Sequence, residues 1–387
     1  MKILIVNNNM HVGGIQNALI NLLQELSKND SYDVTLCVLG NVGEQLDAVP
    51  SGIKLISGNR FTKILGLKQS EAKQDGLFTW LWRTAFVVLT KMFGTKLTYG
   101  ILSRMQKIDE HYDVAVSFMQ NESFNVFYGG CNEFVLNAVD ADLKVSFVHC
   151  AFTDYEGKNH YNAEIYTKFD RIAGVSKSQA ERFKRKCPEV SADKVYAVHN
   201  CYDIESTLRK AEEYEVNVNV DVINIFSPVR ICEEKGVLRM IPIFARLKEQ
   251  GFKFCWRVAG WGPLYEEAIA LRDKYQMQNE IEFLGHLTNP YPYFKKSDLL
   301  LLPSFKEAAP MVYGEAEILG VPVLTTNTTS AVELVADRGI GYVCECDDDS
   351  VEAALLKIMK NGKPQRLKAS ELSNALALEE FAAIITK

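Results

Sequence analysis

The stretch Pro303-Ser304-Phe305-Lys306-Glu307-Ala308-Ala309-Pro310-Met311-Val312-Tyr313-Gly314-Glu315-Ala316, closed by Gly320-Val321-Pro322-Val323, decides the fold. It lies between two short apolar runs, Leu299–Pro303 and Val321–Thr325. Runs of this kind, bounded by turn residues, are strands of a sheet covered on both faces. The interval between them has the length of one helix, and Pro310 suits that helix's start. A strand, a helix and a strand in this order make a parallel crossover unit. One carboxylate, Glu307, falls in the loop after the first strand, and a second, Glu315, follows eight positions on in the helix.

The same alternation extends in both directions. Strands are predicted at Lys2–Asn8, Asp33–Leu39, Ile53–Ser57, Asp113–Phe118, Lys144–His149, Arg171–Ser176 and Val195–His199, then at Val222–Ser227, Lys253–Ala259, Ile281–Leu284, Leu299–Pro303, Val321–Thr325 and Gly341–Cys344. Helical stretches fit between them, so the fold class is α/β, with two Rossmann-like doubly wound domains facing a cleft. The length of 387 residues suits two domains of this kind. Residues 204–219 lack apolar periodicity and carry Glu205, Glu212, Glu213 and Glu215, which reads as a linker or an exposed helix. The expected domains are therefore 1–203, 204–368, and a C-terminal helix within 369–387 that returns to the first domain.

With 43 basic and 49 acidic residues the net charge is −6, which argues against a nucleic-acid partner. Up to Asp203 the charges balance at 22 and 22, so the acidic excess lies in the second part. Nine cysteines without a CxxC framework favour neither a disulfide scaffold nor a zinc module and fit a cytoplasmic protein. The apolar run Ile3–Val6 is too short for a signal peptide, and no stretch approaches a membrane span.

Three sites could carry chemistry beside Glu307 and Glu315. After the first strand, Gly13-Gly14 precedes a helix from Ile15; it is either a tight turn or a place where backbone N–H groups meet an anion or sugar. The dinucleotide fingerprint is absent there, and Gly260-Trp261-Gly262 lacks its third glycine. The second sheet opens with Arg230 and Lys235, two cations able to converge on a diphosphate, although composition alone favours a solvated loop neutralised by Glu233 and Glu234. Asp140-Ala141-Asp142 matches a metal-binding DxD, but it reads as a polar connection before a strand, and no metal is expected.

The ordered set of Gly13-Gly14, Asn200 to Asp203, Arg230 with Lys235-Gly236, Ala259 to Gly262, Pro303-Ser304, Glu307 with Glu315, and Glu333 resembles the retaining nucleotide-sugar glycosyltransferases of family four, which have the GT-B fold. The resemblance covers nearly the whole chain and is closest to enzymes of bacterial capsule and exopolysaccharide assembly. It departs from the family at Ala308 and Cys201, where glycine is usual. It implies that Arg230 and Lys235 hold the donor diphosphate, that Glu315 receives the ribose hydroxyls, and that Glu307 lies against the transferred sugar. Gly13, Gly14, Gly262 and the backbone of Met311 and Val312 would complete the donor site, and His149 would face the reacting carbon. No cofactor is implied beyond the donor itself, with a UDP-sugar favoured over a GDP-sugar.

Between Arg60 and Lys107 lie nine basic and two acidic residues, interleaved with aromatic and aliphatic ones. This composition fits a helix on an anionic membrane surface, with Trp80, Trp82, Arg83, Lys91, Lys96, Arg104 and Lys107 as its contacts, or ordinary packing beneath a basic face. The expected function is transfer of a hexose or N-acetylhexosamine to a lipid-linked or oligosaccharide acceptor, by a metal-independent enzyme on the inner face of the cell membrane. A nucleotide-sugar epimerase of the same fold and a non-catalytic sugar-binding protein are the alternatives.

Overall fold

The computed structural model describes residues 1–121, 123–150, 160–368 and 372–386. The chain forms two compact units, Met1–Cys201 with Asn374–Lys387, and Tyr202–Ser373.

The first unit is built on seven strands: β1 Lys2–Asn7, β2 Asp33–Val38, β3 Lys54–Ser57, β4 Ile108–Ser117, β5 Val139–Val148, β6 Arg171–Gly174 and β7 Val195–Ala197. They lie in the order β3-β2-β1-β4-β5-β6-β7, every pair parallel. Ile3, Leu4, Ile5 and Val6 are wholly buried, as expected of a strand covered on both faces. The helix Gly14–Leu26 turns Ala18, Leu19, Leu22, Leu23 and Leu26 onto the sheet, a single stripe at helical spacing.

The strands β4 and β5 start about five residues earlier than the apolar runs predict. Their first halves alternate exposed and half-buried side chains, and they pair with each other across an irregularity between Ile108 and His111. Asp140 and Asp142 accordingly lie within β5 and not in a connection before it. Both face His111, at 3.1 Å from Nδ1 and 3.4 Å from Nε2, so their charges are met by an imidazole of the neighbouring strand.

The C-terminal helix Ala375–Ile385 belongs to this first unit. Phe381 packs near Phe147, the Glu380 carboxylate accepts the His199 backbone N–H at 2.9 Å, and Arg171 donates to the Ala383 carbonyl. Residues 369–371, where this segment was expected to begin, lie outside the described residues.

The second unit has six parallel strands: β8 Ile223–Pro228, β9 Phe254–Ala259, β10 Ile281–Gly285, β11 Leu299–Leu302, β12 Val323–Thr326 and β13 Gly341–Cys344. Their order is β10-β9-β8-β11-β12-β13. The four leucines of β11 are buried, as are Phe226, Phe244 and Trp256 around them. Each such side chain contributes about 1.5–3 kcal/mol by leaving water. The polar atoms within this core are paired: the Trp256 indole N–H donates to Ser227 Oγ at 2.9 Å, and that hydroxyl donates to the Leu301 carbonyl at 2.6 Å. Residues 204–210 form a helix whose N-terminus is capped by the Asp203 carboxylate. In each sheet the strand order reverses beside the first strand, so in the second unit the carboxyl ends of β8 and β11 flank a switch point, where open sheets bind ligands.

Candidate active site

The loops after β8 and β11 bring Lys235 and Glu307 together at that switch point. Glu233–Lys235 makes one helical turn, ended by Gly236 at φ 66°. A side chain at Gly236 would meet the Pro303 carbonyl oxygen at 2.2 Å, so the loops approach this closely only over glycine. Lys235 Nζ lies 2.5 Å from Glu307 Oε1, and the Ser304 hydroxyl donates to the same oxygen at 2.8 Å. An ammonium has three donor hydrogens, so Lys235 keeps two for a second anion while Glu307 holds it in place.

Arg230, two residues beyond β8, is exposed and has no ion-pair partner among the described residues. Its loop is fastened to the loop after β9 by the Ile231 N–H, which donates to the Trp261 carbonyl. Gly262 permits the contact, since a Cβ there would fall 2.2 Å from the Ile231 carbonyl oxygen. Gly262 thus shapes the loop that carries Arg230. The helix Met311–Ile318 starts directly after Pro310, leaving the Met311 and Val312 N–H groups without intrahelical acceptors at its positive end.

Glu315 sits apart from this cluster. It accepts a hydrogen bond from the Tyr291 hydroxyl at 3.0 Å, and burial pushes its carboxyl up to about 7. Burial and the Glu315 charge push the Tyr291 and Tyr202 hydroxyls upward in turn. Among the described residues no hydrogen bond joins Glu315 to Lys235 or Glu307.

Sequence reasoning passed over Arg239. Its guanidinium donates to the Pro303 carbonyl at 2.6 Å and to the Cys346 carbonyl, and stands 4.1 Å from the centre of the Phe305 ring. It holds the loop that carries Ser304 and Glu307 against the helix Val237–Glu249. One signal was available: an arginine among Val237, Met240, Ile241, Ile243 and Phe244, all buried, needs partners inside.

In the first unit, Gly13 is extended and Gly14 opens the helix Gly14–Leu26. The loop before them is held at His11, whose imidazole lies 3.2 Å from Glu44 and 2.8 Å from Glu71. His149 follows β5, buried, with its ring 4.4 Å from Phe118 and 5.6 Å from Phe147. Burial pushes its pKa down to about 3, which favours the neutral imidazole.

The surface expected for a membrane divides in two. Lys91, Lys96, Arg104 and Lys107 are exposed. Arg83 is not a surface residue: it is buried, donating to the Leu67 carbonyl and the Gln69 amide oxygen at 2.7 Å each. Trp82 packs against Phe61 and Phe86 and donates its indole N–H to the Phe61 carbonyl, and Trp80 is half-buried.

Residues 209–373 match the family described as Glycosyl transferases group 1. WcaL of Escherichia coli K12, named for colanic acid biosynthesis, is 28% identical over 225 residues, which cover 55% of this chain and 54% of that protein. An N-acetylgalactosaminyltransferase of Campylobacter jejuni, named for a diphospho-undecaprenol acceptor, is 28% identical over 211 residues, covering 52% of this chain and 56% of its own. The chain thus spans about half the length of these curated relatives. Among solved structures, Anabaena HepE in complex with UDP aligns over 100% of this chain and 97% of its own, with a TM-score of 0.64 and 15% identity. The fold is that of the GT-B glycosyltransferases.

Proposed function

We propose that this chain, whose residues 209–373 belong to the Glycosyl transferases group 1 family, moves a hexose or N-acetylhexosamine from a nucleotide-sugar donor to a growing glycan in cell-envelope polysaccharide biosynthesis. The observation that carries the reading is the Lys235–Glu307–Ser304 cluster at the strand ends of the second unit, with Arg230 exposed on the same loop after β8 that leads to Lys235. Two cations and a helix N-terminus suit a diphosphate, and a carboxylate on the same loop pair suits a sugar. A uridine donor is supported by the UDP bound to the Anabaena neighbour. A lipid-linked acceptor is supported by the diphospho-undecaprenol in the name of the Campylobacter relative. The nine cysteines, all free thiols, suit a cytoplasmic site of action.

In the proposed reaction the bond from the anomeric carbon to the diphosphate oxygen breaks while the acceptor oxygen attacks from the same face. The acceptor proton passes to the departing phosphate oxygen. Arg230 and Lys235 offset the charge gathering on that leaving group, and Glu307 steadies the positive charge developing on the sugar. Glu315 receives ribose hydroxyls on its oxygen not engaged by Tyr291. The anomeric configuration is retained and no metal is required, because the two cations supply the charge that a metal would.

The test is incubation with UDP- and GDP-sugars in excess chelator, with thermal shift to select the donor and proton NMR of the first-formed product. Transfer or slow hydrolysis with the donor's anomeric configuration is the expected result. An inverted product, or activity restored only by manganese, would overturn the mechanism. Absence of any stabilisation by nucleotide sugars would overturn the donor site.

A further inference from the structure

The helix Leu77–Phe93 buries several polar side chains and leaves an apolar stripe outside. Its buried residues are Thr79, Arg83, Phe86 and Thr90. Facing outward are Leu77, Leu81, Val88 and Met92, exposed by 70%, 52%, 50% and 66%. Their spacing of four, seven and four residues forms one stripe along the helix. The polar groups turned inward have partners: Arg83 bonds to Leu67 and Gln69, and the Thr90 hydroxyl donates to the Phe86 carbonyl at 2.8 Å. These polar groups are therefore fixed inside the fold beside Phe86 and Trp82, while the apolar stripe remains outside.

After Gly94 the helix Thr95–Leu102 extends the apolar surface with Leu97 and Ile101. A groove runs here, lined by Phe93, Lys96, Leu97, Gly100, Ile101 and Arg104. From Gly76 to Ile108 the sequence contains no Asp or Glu, in a chain whose net charge is −6. Lys91 and Lys107 are exposed and have no ion-pair partner among the described residues, while Lys96 lies 3.8 Å from Glu164 and Arg104 donates to the Gly100 carbonyl. An apolar stripe bordered by cations, one of which, Lys96, also faces Glu164, is complementary to acyl chains beneath anionic headgroups.

We infer that this face docks on an anionic bilayer, with Leu77, Leu81, Val88, Met92, Leu97 and Ile101 entering the acyl boundary and the four cations at the lipid phosphates. It is a surface contact, since no helix among the described residues is long and apolar enough to cross a membrane. The inference stands on this face alone and does not depend on the donor site.

Flotation of the full chain with phosphatidylcholine vesicles, with and without phosphatidylglycerol, tests it. Binding is expected on the anionic vesicles and should weaken as salt is raised. Lys91→Gln with Lys107→Gln should lower partitioning about thirtyfold, from roughly a fivefold contribution per basic group. Leu81→Glu with Met92→Glu should lower it at least as far, and both pairs should melt like the parent because all four side chains are exposed. No vesicle binding at low salt, equal binding to neutral vesicles, or partitioning unmoved by either pair would overturn the inference. So would self-association in vesicle-free buffer that Leu81→Glu with Met92→Glu abolishes, since the face would then join two copies of this chain.

Discussion

Replacing Arg239 by Met removes the guanidinium that ties the Glu307 loop to the helix Val237–Glu249, while keeping much of the side chain's bulk. Two carbonyl acceptors, those of Pro303 and Cys346, lose their charged donor, and the Phe305 ring loses the cation 4.1 Å from its centre. A buried acceptor left unsatisfied costs about 1–3 kcal/mol, and a cation over a ring contributes about 0.5–2 kcal/mol. Water can reach part of this site, so a net loss of about 3 kcal/mol is expected for the second unit. The first unit makes no such contact and should be unaffected. Hydrogen exchange resolved by peptide separates the two, because the Phe305 N–H donates to the Glu234 carbonyl at 2.7 Å within the loop concerned. Peptides spanning residues 299–310 should exchange more than tenfold faster in the variant, while those of β1 and β4 keep the parent's rates. Arg239→Lys, which can satisfy one carbonyl but cannot stack in the same way, should fall between. Unchanged exchange over 299–310, or a stability loss below about 0.5 kcal/mol, would refute the assignment of Arg239 as the residue that positions this loop.

Three further outcomes are expected. Glu133 is buried with its carboxyl pushed up to about 7, against an ordinary 4.5, so its ionisation opposes folding as pH rises through 7. Glu133→Gln should therefore melt like the parent near pH 4.5 and be more stable by about 3 kcal/mol above pH 8; equal stability at both would show that the carboxyl is not held protonated. Glu307→Gln should reduce transfer roughly a hundredfold or more with the melting temperature little changed, and activity within a factor of about three of the parent would remove Glu307 from the reaction. Arg230→Ala should leave stability within about 0.5 kcal/mol, since the side chain is exposed, yet slow transfer severely; a stable variant of parental activity would exclude Arg230 from the donor site.

The strands were legible because buried parallel strands are written as short apolar runs, and β11, with four leucines, is the plainest of them. The first halves of β4 and β5 were not, because they pair while exposed and their alternation resembles a polar connection. Lys235 and Glu307 could be named from their loops, but not their contact, which depends on Gly236 allowing two loops to touch. The basic and apolar composition of residues 60–107 was legible, whereas the side on which each residue lies was not. Arg83 and Trp82 went inward because the Leu67 and Phe61 carbonyls there needed donors, a demand set by tertiary contacts that no periodicity records.

The central claim is that the strand ends of the second unit hold a nucleotide diphosphate by protein cations alone, and calorimetric titration of UDP in excess chelator tests it most directly. The parent should bind, and Arg230→Ala and Lys235→Ala should each weaken binding at least tenfold, about 1.4 kcal/mol, with the melting temperature of free Arg230→Ala little changed. Binding that needs added manganese, or that survives both substitutions unweakened, would contradict it.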